Sequence, residues 1–97
     1  MILSFADAGT EDVFHGRSTR AARHACPSTA WNVARRKLDQ LNAAVSLKGL
    51  RVPPGNRLEA LKGDRRGQYS VRINDQYRVC FRWTAAGPAD VEIVDYH

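Results

Sequence analysis

The sequence predicts an α+β domain, with two N-terminal helices packed on one face of a small, mostly antiparallel sheet. Residues 27–47 repeat apolar side chains every three or four positions, the period of an amphipathic helix. From Arg57 onward the period changes to two, in four short runs separated by turn residues. Strands that follow one another over short connections favour an antiparallel meander. Helices first and strands last place the helices together on one face.

The elements follow in order. MILSF is short and apolar and reads as a first strand. In GTEDVFHG, Thr10 is a helix cap, Glu11 and Asp12 suit the first turn, and Gly16 ends the helix. RSTRAARHAC is polar and basic without a period and reads as a loop. PSTAWNVARRKLDQLNAAVSL is the clearest helix, capped by Ser28 or Thr29 after Pro27. Its buried stripe is Trp31, Ala34, Leu38, Leu41 and Val45, with Arg35, Arg36, Lys37, Asp39 and Gln40 on the other faces. LKGLRVPPGN is a loop marked by Gly49, Pro53, Pro54 and Gly55. RLEAL, QYSVRIN, YRVCFRW and ADVEIVD are the four strands.

Ninety-seven residues make a single domain, 1–97, able to bury roughly 60–70% of the unfolded chain's surface. With 43% apolar and 26% charged residues the chain is globular rather than disordered. No apolar run approaches the ~20 residues of a membrane span. No signal-peptide pattern stands at the start, so a cytoplasmic protein with no membrane partner is expected. A disulfide between Cys26 and Cys80 is not expected there. The two cysteines and three histidines are too scattered for a zinc site. No G-x-G-x-x-G, P-loop, H-E-x-x-H or G-x-S-x-G occurs, which argues against nucleotide hydrolases, zinc proteases and esterases.

Charge is more informative. Fifteen Lys and Arg against ten Asp and Glu give +5, and all but three of the bases are arginine. Arginine's planar fork pairs with phosphate and stacks on bases, so a polyanionic partner, foremost nucleic acid, is expected. Matching the apolar faces of QYSVRINDQYRVCFRW pairs Ile73 with Tyr77, Val71 with Val79 and Tyr69 with Phe81. Arg72 then lies across from Arg78, and Gln68 across from Arg82. Arg65 and Arg66, in the preceding turn, join the same face. Like charges directly opposite are destabilising, and an anion over that face would relieve them.

The stretch NRLEALKGDRRGQYSVRINDQYRVCFRW, with the closing VEIVDYH and the opening MILSF and VFHG, resembles the HigB-type plasmid killer toxins of the RelE/ParE superfamily over almost the whole chain. The resemblance implies a RelE-like fold, a small sheet with two N-terminal helices. It implies the toxin of a bacterial type II toxin–antitoxin system: a metal-free, cofactor-free endoribonuclease that cuts mRNA in the A site of the 30S ribosomal subunit. It also implies a cognate HigA-like antitoxin with a helix-turn-helix, through which alone operator DNA is bound. The family's catalytic positions fall on Lys62, Arg72, Arg78, Asp95, Tyr96 and His97. Arg65, Arg66, Arg82 and Glu59 are candidate substrate-binding residues. Glu59 departs from members with a histidine at that place; it is a candidate base that also adds negative charge near a phosphate.

These residues suit cleavage of RNA by its own 2′-OH. Arg72, Arg78 and Lys62 would stabilise the phosphorane. His97 would carry a proton, Tyr96 would stack on a base or donate its proton, and Asp95 would orient His97 or contact a base. The competing expectation is a non-catalytic basic module binding RNA or protein, a degenerate toxin acting as antitoxin partner or co-repressor. It would keep the arginine face and have no use for His97.

Overall fold

The computed structural model describes residues 1–96. Its first residues are extended and joined to the last strand. The Leu3 N–H donates to the Pro88 carbonyl (2.8 Å), Val91 N–H to the Ser4 carbonyl (3.1 Å) and Ala6 N–H to the Val91 carbonyl (2.9 Å). Phe5 bridges Val91 in parallel, so MILSF flanks the meander as a parallel edge.

Helix α1 spans Ala8–Phe14. Its cap is Asp7, whose Oδ1 accepts from the Thr10 N–H at 2.6 Å, and not Thr10 as the sequence suggested. Thr10 is instead fully buried, and its Oγ1 accepts from the Ile93 N–H at 2.9 Å, tying helix to sheet. The expected loop 17–26 contains a second helix, α2, Arg20–Ala25. The Thr19 hydroxyl caps it, accepting from the Ala22 N–H at 3.0 Å and donating to Asp12 Oδ2 at 2.7 Å. The helices touch backbone to side: a Cβ on Gly9 would stand 2.3 Å from the Ala21 carbonyl oxygen.

A 3-10 turn, Ser28–Ala30, leads into α3, Trp31–Ala43. Neither Ser28 nor Thr29 caps it; Ala30 precedes the helix without a side-chain bond. Ala34, Leu38 and Leu41 are buried as the period required, and Trp31 packs on the core and donates Nε1–H to the Cys26 carbonyl (3.0 Å). Val45 is not part of the stripe. The backbone turns extended at Ala44, before the next helical position is reached, and Val45 is 96% exposed.

Residues 46–57 are irregular but tied down by 3-10 turns at Lys48–Arg51 and Pro54–Asn56. Asn56 is fully buried. Its Nδ2 donates to Gln40 Oε1 (3.0 Å), the Leu50 carbonyl (3.1 Å) and the Val52 carbonyl (3.4 Å), and its Oδ1 accepts from Lys37 Nζ.

The sheet is antiparallel in the order β1-β2-β3-β4: Glu59–Ala60, Gln68–Arg72, Tyr77–Thr84 and Gly87–Asp95. The hairpin register is the one deduced from its faces, Tyr69 with Phe81, Val71 with Val79, Arg72 with Arg78 and Gln68 with Arg82. β1 is shorter than RLEAL. β4 carries an extra residue opposite Phe81, with Asp90 in the left-handed region (φ +51°). One face, with Val71, Ile73, Val79, Phe81, Val91 and Ile93, packs on Val13, Ala34, Leu38 and Leu41. Fully burying side chains of this size contributes about 1.5–3 kcal/mol each.

Candidate functional site

The sheet's second face is built in rows by the register. Glu59, Ser70, Cys80 and Glu92 lie in one row; Arg72, Arg78 and Val94 lie in the next. Ser70 and Cys80 are small and fully buried beneath the long side chains around them. Burial pushes the Cys80 thiol up, against the pull of Arg65.

Arg78 is the most enclosed charge of this face, only 8% exposed. Its Nε donates to Ser70 Oγ at 2.7 Å, and its Nη2 to the Arg57 carbonyl at 2.6 Å and the Ser70 carbonyl at 3.4 Å. Arg57 stands in the left-handed region (φ +46°), a conformation a non-glycine residue rarely adopts. It closes the 3-10 turn before β1 and presents its carbonyl to the guanidinium. The Glu59 carboxylate lies 4.0 Å from Nη2, and the Tyr96 ring faces Cζ at 5.6 Å from its centroid. Buried charges are tolerated when their hydrogens are satisfied in this way. The result is a guanidinium fixed in position, with an aromatic ring beside it.

The other arginines of the face each have a carboxylate. Arg72 pairs with Asp75 in the hairpin turn. Arg65 Nη1 reaches Glu92 Oε1 (3.2 Å) and Gln68 Oε1 (3.0 Å). Arg82 Nε donates to Asp90 Oδ2 at 2.6 Å, which holds the Asp90 carboxyl below its usual range. The repulsion between Arg72 and Arg78 is thus met within the chain, by Asp75 and Glu59, without an external anion. Positive charge continues toward α3, where burial, then Arg36 and Arg72, lower the Lys37 pKa.

Of the candidates, Arg78, Arg72, Glu59, Arg65, Arg82 and Tyr96 share this face. Asp95 ends β4 opposite Tyr77, and its Oδ2 accepts from Gln76 Nε2 at 3.2 Å. By strand alternation its side chain leaves from the opposite side to Tyr96. Lys62 is exposed just beyond β1, and Arg66 is exposed in the following turn. His97 lies outside the described residues. Sequence reasoning missed Ser70, Glu92 and the Arg57 carbonyl. Ser70 had a signal: it is the small polar residue between Gln68 and Arg72 on the basic face. Among the described residues no three His, Cys, Asp or Glu side chains gather as metal ligands, and no helix is long and apolar enough to cross a membrane.

The model of the HigB-like toxin family, described as the RelE-like toxin of type II toxin-antitoxin system HigB, matches residues 3–97. Toxin HigB-1 of Vibrio cholerae serotype O1 is 42% identical over 84 residues, 86% of this chain and 84% of the relative. An uncharacterized protein of Haemophilus influenzae is 40% identical over 57 residues, 59% of this chain and 56% of its own. A match over nearly the whole chain, with a relative this similar along most of both lengths, makes the chain a member of the HigB-like family, the RelE-like toxins of type II toxin–antitoxin systems.

Proposed function

We propose that this toxin is a metal-independent endoribonuclease that cleaves mRNA in the ribosomal A site and so stops translation in the cytoplasm. The observation that carries the reading is Arg78, a guanidinium immobilised by Ser70 and the Arg57 carbonyl beside the Tyr96 ring. Fixed positive charge stabilises a phosphorane best when it need not reorganise as the negative charge grows. Arg72, Arg65, Arg82, Arg66 and Lys62 supply the surrounding field that attracts the RNA backbone. Tyr96 offers its ring to a base next to the scissile phosphate. Glu59 and His97 are the candidates for moving the 2′-OH and 5′-oxygen protons, with imidazole able to change charge near neutral pH. Asp95 acts through its neighbours at the strand end. An open face needs its message held in place, and the ribosome would supply that positioning. A HigA-like helix-turn-helix antitoxin would neutralise the toxin and carry it to operator DNA.

One observation favours a second reading, a non-catalytic binding module. Arg65, Arg72 and Arg82 are already paired with Glu92, Asp75 and Asp90. The deciding experiment mixes the protein with ribosomes programmed with a defined mRNA and maps new 5′ ends. Controls are ribosome-free mRNA and a chain lacking His97. Cuts that require both ribosome and His97 are expected. Ribosome binding should weaken steeply with salt. Folded, ribosome-bound protein that makes no cuts would overturn the nuclease and leave the binding module.

A further inference from the structure

The arginines of the open face are matched by carboxylates of the same chain, but the positive charge at the β1 edge is not. Lys48, Arg51, Arg57, Lys62 and Arg66 are all exposed. Among the described residues none of the five forms an ion pair. Between Lys48 and Arg66 the chain holds six bases against two acids, Glu59 and Asp64. Beside this edge runs a groove of about 490 Å³ lined by Leu47, Lys48, Arg51, Leu58, Ala60 and Tyr69. Its apolar lining is only partly covered: Leu47, Leu58 and Tyr69 are half-buried and Ala60 is exposed. The segment that walls it exposes further apolar surface on its other side: Val52 is 72% exposed, and Val45 and Val52 line a second, smaller groove of about 310 Å³. β1 is the terminal strand of the sheet, so its outer backbone edge is open to a pairing chain.

We propose that this groove is where the antitoxin docks, inserting a segment that combines acidic and apolar side chains along the β1 edge. The apolar floor and open strand edge select a polypeptide over RNA, whose backbone would use the charges and leave Leu47, Leu58 and Tyr69 uncovered. The basic rim selects an acidic polypeptide, and paired strands would supply backbone bonds independent of side chains. The position also explains inhibition. A segment on β1 borders Glu59 and Arg57, the carboxylate beside Arg78 and the residue whose carbonyl holds it. The inference rests on membership in a toxin–antitoxin family and not on the nuclease reading.

The test measures binding of the full-length antitoxin that neutralises this toxin on co-expression, by calorimetry with the folded toxin. Lys48→Glu with Arg51→Glu changes two exposed side chains outside the open face. This double variant should bind the antitoxin at least about tenfold more weakly, with a shallower salt dependence, and keep its unfolding temperature. Hydrogen exchange on the wild-type complex should protect 47–51 and 58–60. If the double variant binds as tightly as wild type and those amides are unprotected, the docking site is elsewhere. If antitoxin binding is unchanged but ribosome binding falls, the groove is an RNA surface and the proposal fails. A toxin without nuclease activity whose groove variant still loses the antitoxin would reject the nuclease alone.

Discussion

At the scale of single residues the site turns on how Arg78 is held. Its side chain is 10% exposed, so water cannot replace a lost partner freely. Ser70→Ala removes the acceptor of Nε and leaves a charged donor poorly satisfied, a loss of about 1–3 kcal/mol. In a domain of this size each 1 kcal/mol lowers Tm by roughly 4–8 °C. Ser70→Ala keeps every charge, so ribosome binding should hold while cleavage falls at least about tenfold, the loss of ~1.4 kcal/mol of transition-state stabilisation. Thermal melts and single-turnover cleavage at saturating ribosomes check both. An unchanged Tm would mean that the Ser70 bond contributes nothing, and full cleavage would mean that Arg78 does not depend on it for position. The Cys26 thiol, which burial pushes up to about 11, is by contrast an inert core group.

At the scale of elements, the caps show what a sequence reveals and what it conceals. Thr19 begins α2 and also donates to Asp12 on α1's last turn. Thr19→Ala should destabilise the domain by about 1 kcal/mol, the usual worth of an N-cap. The bond from Thr19, then Arg17, holds the Asp12 carboxyl below its ordinary value of 3.8. A folded-state pKa that is depressed gives stability that is complete above 3.8 and lost as pH falls through the folded value. Melts of wild type below that pH should therefore show a steeper loss than melts of Thr19→Ala; parallel curves would rule out the Thr19–Asp12 link. The helix itself was illegible because six residues bury one side chain, Ala22, too few to write a period. The hairpin was fully legible, since period two over β2 and β3 leaves one register that buries Val71, Val79 and Phe81 together. That register placed Arg72 across from Arg78, but not their partners. Asp75 reaches Arg72, the left-handed Arg57 reaches Arg78 and Glu92 reaches Arg65 through turns and a bulged strand whose geometry no local pattern states.

At the scale of the whole molecule, the helical layer and the open face are coupled through one buried amide. Asn56 joins Lys37 and Gln40 of α3 to the carbonyls of Leu50 and Val52, fixing the irregular segment that walls the groove. The next residue, Arg57, turns left-handed and gives its carbonyl to Arg78. A substitution on the helix side of the sheet should therefore be felt on the opposite side. Asn56→Ala leaves the buried Leu50 carbonyl and the half-buried Lys37 and Gln40 side chains short of a partner and should cost about 2–4 kcal/mol, near the upper end for one residue. A domain of ordinary stability, about 5–15 kcal/mol, stays folded after that loss. The folded variant should lose hydrogen-exchange protection across 46–57 and cleave more slowly, although Asn56 touches neither Arg78 nor Tyr96. Ser70→Ala serves as the comparison, because it should slow cleavage without loosening 46–57. If Asn56→Ala loosens that segment and cleavage is untouched, the Arg57 carbonyl is not needed to position Arg78, and Ser70 alone holds the guanidinium in place.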